Sequence, residues 1–397
     1  MSYPTHFFST RPVHLQRLLV LALLASLAGC GGGDGMGGTM VSAGFADNVL
    51  VANRSGLTAT NTTIDANLSN PWGLALAPGH PIWIADNNSN LATLYGGAGA
   101  NATGSVTGSN SVGIAIPPSA ASVPSNPTGQ VYNATGQFPV ATIHGAETAL
   151  FLYDGEGGTI AGWASDSGAS AATVYDDGIA NGAAHAVYKG LAIGSFNGVN
   201  YLYATDLHNN KIDVFDTTFS KPAPLQGKFI DPAMPAGFVP FGIQALGGKL
   251  YVSFARQDVA MHDETTGAGL GYVDVFGMDG SFISRFASAG VLNAPWGMAL
   301  APAGFGTFAG DLLIGNFGDG TINVFAPNGT SLAVSMGPLT MPTGQMLSIP
   351  GLWALAFGNG DSDKALTTLF YTAGFANQTD GVFGAIDFTS MTVPNPY

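Results

Sequence analysis

The chain has 397 residues, of which 46% are hydrophobic and only 9% are charged. Its 57 glycines and 23 prolines are too many for a helical protein and are typical of short strands joined by turns. The 25 acidic residues outnumber the 11 basic ones, and the resulting negative surface repels phosphate backbones, which argues against a nucleic-acid partner.

The first 30 residues read as a targeting segment. Arg11 and Arg17 precede a short apolar run over 18–24, and small residues follow up to Cys30, the only cysteine. This order is typical of a secretory signal, and the run is too short to cross a bilayer as a helix. The ending Leu-Ala-Gly-Cys30 resembles the bacterial lipobox, in which the cysteine is lipid-modified. We therefore expect a lipoprotein signal peptide over 1–29 and a folded body without disulfides.

A glycine-rich segment follows the cysteine, and we predict that residues 30–44 form a flexible tether. Glycine rather than aspartate at position 31 resembles outer-membrane sorting in a diderm bacterium. These features predict an extracytoplasmic protein of the bacterial cell envelope, which contacts the membrane through lipid on Cys30 and is held at the outer membrane.

The folded body is predicted over residues 45–392, with a short tail at 393–397. Residues 48–52, Asn-Val-Leu-Val-Ala, read as a lone strand ahead of the first repeat. An unpaired strand edge is a liability, so we expect this strand to complete the last unit of a closed ring.

One motif organises the body. Pro-Trp-Gly-Leu-Ala-Leu at 71–76 returns as Pro-Trp-Gly-Met-Ala-Leu at 295–300, with weaker copies elsewhere. The glycine of the motif defines a marker position, which recurs at intervals of 52 to 61 residues at Gly73, Gly129, Gly190, Gly242, Gly297 and, as alanine, Ala354. A near-constant period of this length indicates a repeat architecture.

Each repeat contains several short strands separated by polar turns. In the third repeat, an alternating strand at 201–206 leads through a His-Asn-Asn turn into a second strand at 211–216. This alternation with Asn, Asp and Gly turns is the signature of β-hairpins. Four strands in about 55 residues make one propeller blade. The sequence therefore predicts an all-β fold, a six-bladed β-propeller of four-stranded antiparallel blades.

Several segments carry a resemblance to known propellers. Ala-Thr-Asp and Asn-Asn-Lys-Ile-Asp-Val-Phe within 204–215 resemble the NHL-type repeat. The region 45–390 is similar to an uncharacterised family of secreted bacterial six-bladed propellers through Asn-Pro-Trp-Gly-Leu-Ala at 70–75, Gly-Gly-Thr-Ile-Ala-Gly-Trp at 157–163 and Val-Tyr-Lys-Gly-Leu-Ala at 187–192. This resemblance implies the fold and no particular activity.

The innermost strands of a propeller line its central channel, so the residues that begin them crowd one mouth. The residues directly before the marker position are Trp72, Thr128, Lys189, Phe241, Trp296 and Trp353. Four aromatic rings and one ammonium suit a planar, sugar-like or anionic ligand, so the candidate ligand-binding residues are Trp72, Lys189, Phe241, Trp296 and Trp353. Alternatively, these rings wedge between the blades and plug the tunnel. A lysine at such a position needs a partner or water.

Asp and Asn residues recur after the second strands, at Asp86, Asn87, Asn88, Asp206, Asn209, Asn316 and Asp319. Oxygen ligands of this kind can hold Ca²⁺, and gluconolactonase-like propellers hold a metal with Asp, Asn and Glu at the channel mouth. Recurrence at one turn position is, however, what turn chemistry predicts, because these residues cap their own backbone. We therefore predict no metal site and no cofactor, and Ca²⁺ stays the alternative.

Two long segments, 98–146 and 254–270, interrupt the regular repeat, and long loops on a rigid ring tend to carry function. The second contains His262-Asp263-Glu264, which either reaches over the mouth or is a solvated loop. The remaining histidines are scattered, without the pairing that a transition-metal site requires.

These observations predict a propeller that binds an unknown small molecule or protein at its channel mouth without catalysis. The alternatives are a metal-dependent lactonase or hydrolase of the gluconolactonase-like type, and a structural envelope protein. An enzyme requires three or four convergent oxygen ligands or a nucleophile–base pair at the mouth. The fold itself does not choose, because propellers host many unrelated activities.

Overall fold

A computed structural model describes residues 39–57, 62–98, 113–178 and 185–394. The predicted signal peptide, Cys30 and most of the predicted tether lie outside the described residues. Among the described residues, no helix has the length and apolar character that crossing a membrane requires.

The chain divides into two units, and the propeller forms the unit Ser42–Met391. The other unit comprises Met1–Val41 and Thr392–Tyr397, of which the structure describes only the ends of two strands. The first described strand begins at Thr39, ahead of the predicted start of the body at Phe45.

Two strands precede the first innermost strand, β1 (Thr39–Ala52) and β2 (Thr63–Ile64). Blade one contains β3 (Pro71–Leu76), β4 (Ile82–Asp86), β5 (Leu91–Tyr95) and β6 (Gly113–Ala115). Blade two contains β7 (Pro127–Tyr132), a separate hairpin of β8 (Pro139–Thr142) and β9 (Gly145–Thr148), and then β10 (Phe151–Gly155), β11 (Thr159–Trp163) and β12 (Ala172–Asp176). The inserted hairpin lies in the first of the two long segments that interrupt the repeat.

Blade three contains, among the described residues, β13 (Tyr188–Phe196), β14 (Val199–Asp206) and β15 (Lys211–Phe215). Blade four contains β16 (Phe238–Leu246), β17 (Lys249–Gln257), the short β18 (Glu264–Thr265) on the side of β17, β19 (Gly271–Phe276) and β20 (Phe282–Ser288). Blade five contains β21 (Pro295–Leu300), β22 (Leu312–Asn316), β23 (Ile322–Asn328) and β24 (Ser331–Pro338).

Blade six joins the two ends of the chain. It contains β25 (Leu352–Phe357), β26 (Leu369–Ala373) and β27 (Val382–Pro394), and β1 pairs with the outer edge of β27. The predicted all-β fold, a six-bladed propeller of antiparallel sheets, is confirmed. The expectation that an N-terminal strand completes the last blade is confirmed as well, because β1 and β27 protect each other's edges.

Short helical segments occupy some of the connections between strands. Ser165–Ser167 and Ala223–Leu225 are 3₁₀ turns. Phe375–Gln378 follows β26, and its residues Ala376 and Asn377 have left-handed φ values of 50° and 55°.

The marker glycines are explained by the close approach of the innermost strands. A β-carbon at Gly73 would lie 2.5 Å from the Thr128 carbonyl oxygen of blade two, and one at Gly297 would lie 2.3 Å from the Trp353 oxygen of blade six. A β-carbon at such distances clashes, so only glycine permits the inner strands to come this near. In blades one and five the pairing register also shifts across the marker position, which indicates a β-bulge there.

Apolar clusters fill the spaces between blades. Between blades one and two, for example, Trp83 stacks on Phe151 with ring centroids 4.2 Å apart. A further cluster joins blades six and one and extends across the centre of the ring, where it includes Trp72, Trp296 and Trp353. No single blade buries both of its own faces, so the sheets are stable only as neighbours in a ring.

Candidate functional site

Four of the predicted mouth residues form a plug of aromatic rings, Trp72, Phe241, Trp296 and Trp353. Trp72 stacks on Trp353 with ring centroids 3.4 Å apart, and Trp296 stands edge-on to both rings at 5.9 and 5.8 Å. Phe241 contacts Trp353 edge-on at 6.1 Å. All four side chains are buried, the most exposed being Trp296 at 9%. The structure therefore brings these residues together as predicted, but as a seal across the centre rather than as an open aromatic cup.

The indole N–H groups of the plug are unequally satisfied. Trp353 donates its indole N–H to the Asn70 side-chain oxygen at 3.2 Å, and Trp296 donates to the Lys189 carbonyl oxygen at 2.7 Å. The indole nitrogen of Trp72 is buried and has no hydrogen-bond partner among the described residues. The plug thus retains one spare donor, and burying an unpaired donor has a free-energy cost.

Lys189 lies beside the plug with its side chain fully buried. Its ammonium donates to Oε1 of Glu156 and, at 3.0 Å, to Oδ1 of Asp263, and its Nζ lies 5.2 Å from the centroid of the Trp72 ring. Burial alone would lower the pKa of Lys189, but the carboxylates of Glu156, Glu264 and Asp263 outweigh it and raise the pKa above its ordinary value. Lys189 is therefore a buried, permanently charged cation.

The sixth residue of the series, Thr128, takes no part in the plug. It is fully buried, and its hydroxyl lies 2.9 Å from the Asp154 carboxylate and 2.9 Å from the Tyr188 carbonyl oxygen. Its contacts therefore tie blade two to blade three.

A network of side-chain amides continues from Lys189 across the mouth. Glu156 accepts a hydrogen bond from Asn87 at 3.0 Å, and Asn87 accepts one from Asn70 at 3.3 Å. Asn70 also donates to the Gln378 side chain at 3.1 Å, on the left-handed turn of blade six. Hydrogen bonds thus connect the turns of blades six, one and two around the plug, and each amide holds the orientation of the next.

A loop of blade four, residues 258–263, covers Lys189 from the other side, and we call it the mouth loop. The backbone N–H groups of His262 and Asp263 both donate to the Asp258 carboxylate, at 2.9 and 3.2 Å. The His208 ring nitrogen lies 3.1 Å from the Met261 carbonyl oxygen. The sequence left open whether this loop reaches the mouth, and the structure places Asp263 on the ammonium of Lys189.

The acidic groups of this region have shifted pKa values. The hydrogen bond from His262, together with Lys189, lowers the pKa of Asp263, and the same hydrogen bond raises the pKa of His262. Burial raises the pKa of Glu264 to about 7, although the charge of Lys189 opposes this. Asp263 is therefore ionised at neutral pH, which strengthens its pairing with Lys189.

Among the described residues, Glu156, His262 and Asp263 form the one group of potential metal ligands, with ligand atoms within 4.8 Å of one another. Two of these three residues are already bonded to the Lys189 ammonium. A cation bound here would face that ammonium, and like charges at such distances repel strongly.

The recurring Asp and Asn residues do not join this group. Asp206 accepts the backbone N–H of Asn209 at 3.1 Å, and Asp319 accepts that of Thr321 at 3.0 Å, so both cap their own turns. Asp86 accepts the Thr93 N–H at 3.1 Å within blade one. Asn87 is the exception, because it contacts Glu156 across the mouth.

Sequence reasoning missed Glu156, Asn70 and Gln378. Glu156 occupies the turn after the second strand of blade two, the same turn that carries Asn87 in blade one. That equivalence was the signal available, and it marks Glu156 as an acid facing the mouth. Nothing in the local pattern singles out Asn70 or Gln378, because their partners lie on other blades.

Below the plug, the central channel contains empty space of about 440 Å³. It widens toward the opposite face into a cavity of about 960 Å³, which includes space open to solvent. Gln130 lines both parts, and its buried amide has no hydrogen-bond partner among the described residues.

No family model matches the chain. An uncharacterised protein of Acanthamoeba polyphaga mimivirus is 35% identical over 345 residues, which cover 85% of this chain and 79% of the relative. A second uncharacterised protein of the same virus is 33% identical over 348 residues, which cover 85% of this chain and 84% of the relative. The prediction of a secreted bacterial family is therefore wrong, since these relatives are viral. The motifs on which that prediction rested indicate the geometry of the propeller ring, and this geometry does not depend on the organism from which a protein comes.

Solved structures of similar fold include enzymes of several classes. The selenomethionine-substituted virginiamycin B lyase from Staphylococcus aureus is 14% identical, with a TM-score of 0.46, and 86% of this chain and 99% of that chain are covered. The PQQ-bound aldose sugar dehydrogenase from Streptomyces coelicolor is 15% identical, with a TM-score of 0.45 and coverage of 87% and 98%. A putative gluconolactonase is 15% identical, with a TM-score of 0.38 and coverage of 65% and 89%. At these identities the likeness concerns the fold alone.

Proposed function

This chain belongs to the same protein family as the two mimivirus proteins, and from that premise we propose that it is a non-enzymatic propeller that binds a ligand or a protein partner on its mouth face. The mouth face is the side of the ring at which the innermost strands begin. One observation carries the proposal. The only buried cation of the mouth among the described residues, Lys189, is neutralised by carboxylates from two other blades, so it serves recognition and rigidity rather than proton transfer.

The plug supports the same conclusion. Its four buried rings close the centre of the ring at the mouth, so a ligand on this face meets a preformed surface, while the channel below the plug opens toward the opposite face. Around this plug, amides and carboxylates from blades one, two, four and six supply hydrogen-bonding groups that hold one another in position. Such preorganisation favours binding, because few side chains need to be ordered when the complex forms.

A metal-dependent hydrolase is the second candidate, and the grouping of Glu156, His262 and Asp263 favours it. Against it stands the Lys189 ammonium, which already acts as the cation for two of these residues. Treatment with EDTA separates the two functions, because a binding propeller keeps its ligand affinity and a metal-dependent hydrolase loses its turnover.

The anchoring features of the sequence extend the proposal. We propose that lipid on Cys30 holds the propeller at the cell envelope, with the glycine-rich segment as its tether. A tether of this composition leaves the mouth face free to meet partners in many orientations. A structural envelope role remains the third candidate, favoured by the acidic, sparsely charged composition.

The test places the same substitution, valine to arginine, on each face of the ring in turn. Val259 in the mouth loop is fully exposed, and Val199, the first residue of β14, is exposed on the opposite face. We expect Val259→Arg to weaken binding to arrayed oligosaccharides and peptides at least about tenfold, because the long charged side chain obstructs the mouth face. Val199→Arg is expected to leave binding unchanged.

Affinities are measured by surface plasmon resonance, and bound compounds are recovered and checked by mass spectrometry. Equal effects of the two variants, or chemical conversion of the bound compound, would contradict the proposal.

A further inference from the structure

The two carboxylates on Lys189 are held very differently. Glu156 belongs to the rigid ring, with a side chain only 11% exposed and its other oxygen bound by Asn87. Asp263 is 60% exposed and belongs to the mouth loop. Glu156 is therefore a fixed partner of the buried ammonium within the ring, whereas Asp263 contacts the ammonium from the solvent side.

The mouth loop is attached mainly to itself. The Asp258 N–H donates to the Asp263 carbonyl oxygen at 2.8 Å, and the Asp258 carboxylate accepts from the loop backbone. Its tip reaches the rest of the ring through the His208 contact and through Asp263 on Lys189. Moving Asp263 away thus breaks few bonds outside the loop, and none within the blades.

Beneath Asp263 lies a surface built for an anion. The fully buried ammonium is in a region of low dielectric, where a charge-assisted hydrogen bond is strong. The ring of Trp72 borders it at 5.2 Å, and the Trp72 indole N–H is the spare donor of the plug. An external anion at this position would find a cation bordered by an aromatic ring.

We infer that Asp263 is an internal stand-in for an external carboxylate, and that the mouth recognises a carboxylate-bearing ligand which replaces Asp263 on Nζ of Lys189. The inference rests on the proposed binding function, whose ligand class it names. Replacement rather than addition is required, because Glu156 and Asp263 already supply two carboxylates to the single ammonium. The exchange leaves the charge in contact with the ammonium unchanged, because the ligand carboxylate takes the place of Asp263, whose own charge moves with the loop toward solvent.

The same charge balance selects among anions. A dianion such as phosphate would place a second negative charge beside Glu156, and desolvating it costs more than desolvating a carboxylate. A monovalent carboxylate has the charge and the planar oxygen pair of the group that it replaces. Uronic acid sugars and peptide C-termini are ligands of this chemistry.

The experiment removes the stand-in and offers the simplest external carboxylate. Acetate is titrated into the wild-type protein and into Asp263→Ala at constant ionic strength, and binding is followed by tryptophan fluorescence and isothermal calorimetry. Asp263→Ala is expected to bind acetate at least about tenfold more tightly than the wild type, because its ammonium lacks the internal competitor. Inorganic phosphate is expected to bind neither protein.

Asp166→Ala is the matched control, since Asp166 is a half-buried carboxylate that pairs with His144 in blade two and lies outside the mouth network. It is expected to bind acetate as the wild type does. Lys189→Met in the Asp263→Ala background is expected to abolish acetate binding. If that double variant does not fold, competition by chloride at raised concentration, read by calorimetry on Asp263→Ala alone, reports whether the site is cationic.

Equal acetate affinity of Asp263→Ala, Asp166→Ala and the wild type overturns the inference, and so does phosphate binding as tight as acetate binding. If Asp263→Ala binds acetate no more tightly than the wild type while Val259→Arg and Val199→Arg still differ in ligand binding, the proposed binding face is retained. Only the carboxylate ligand class is then rejected. If those two variants behave alike, the proposed function itself fails.

Discussion

The marker position shows how a single missing side chain sets the width of the ring. In five blades it is glycine, and a β-carbon there would meet the inner strand of the next blade. The distances differ between junctions, being 2.3 Å to the Trp353 oxygen from Gly297 but 3.1 Å to the Phe241 oxygen from Gly190. The inner strands are therefore packed to unequal tightness around the channel.

This inequality leads to a graded prediction for alanine substitutions. We expect Gly297→Ala to lower the free energy of unfolding by about 3 kcal/mol or more, because its β-carbon must push two blades apart. Gly190→Ala is expected to cost about 1 kcal/mol, since a small shift relieves its contact. Urea unfolding followed by tryptophan fluorescence measures both. A cost for Gly190→Ala as large as that for Gly297→Ala would show that the close approach does not determine the choice of glycine.

Lys189 is a charged residue at a position that is aromatic in four of the six blades. These four positions hold aromatic rings, which carry no charge when buried, whereas a buried ammonium needs a partner of opposite charge. Glu156 and Asp263 supply that partner from blades two and four. This lysine therefore makes its blade dependent on two others in a way that an aromatic residue would not.

At the scale of elements, β1 is the strand that closes the ring. It precedes the propeller repeats in the sequence but lies in blade six beside β27, and its residues Val51 and Ala52 are fully buried. Phe45 of the same strand packs on Phe305 with ring centroids 4.8 Å apart. Because the first and last strands pair, the ring has no open junction between its ends. At an open junction, one sheet edge and one apolar face would be exposed to water.

Removal of this strand is expected to abolish cooperative unfolding. A chain that starts at residue 53 lacks β1, leaves β27 with an unpaired edge and exposes the apolar surface beneath Phe45 and Val51. A chain that starts at residue 39 keeps β1 and serves as the control, with an unfolding transition equal to that of the full chain. Differential scanning calorimetry compares the three proteins. A sharp, unshifted transition in the chain without β1 would show that ring closure does not depend on it.

At the scale of the whole molecule, the plug closes the centre of the propeller at the mouth face, and one network of hydrogen bonds joins blades on that face. The network includes hydrogen bonds from Trp353 through Asn70, Asn87 and Glu156 to Lys189. The plug gives the mouth face a closed surface for the proposed recognition, and the proposed lipid on Cys30 would hold the protein at the cell envelope.

The proposed anchor gives a prediction for the whole protein. Expressed in a diderm bacterium, the wild-type protein is expected in the membrane fraction, and Cys30→Ser is expected in the soluble fraction, because serine cannot accept the lipid. Ser26→Ala alters the same leader without touching the acceptor and is expected to remain with the membrane. Cell fractionation with immunoblotting measures the distribution. Membrane retention of Cys30→Ser would exclude anchoring at that residue.

The sequence by itself determined the architecture of this protein. A motif that recurs every 52 to 61 residues marks the start of each blade. The blades can be recognised in the sequence because each strand, turn and following strand is encoded by neighbouring residues. The same pattern placed Trp72, Lys189, Phe241, Trp296 and Trp353 at one opening, since equivalent positions of a ring repeat must face its axis. The extra strand at 48–52 was assignable to the last blade for a related reason, namely that a closed ring leaves no edge unpaired.

Only the tertiary structure decided what that opening is. Whether the aromatic rings form a cup or a plug depends on the ring's diameter, and that diameter follows from how closely the six inner strands approach, which no local pattern states. Glu156 and Asp263 lie 33 and 74 residues from Lys189 along the chain, and they meet it only because three blades close around one axis. Contacts across blades depend on distances in space, and a sequence encodes these only through the complete fold.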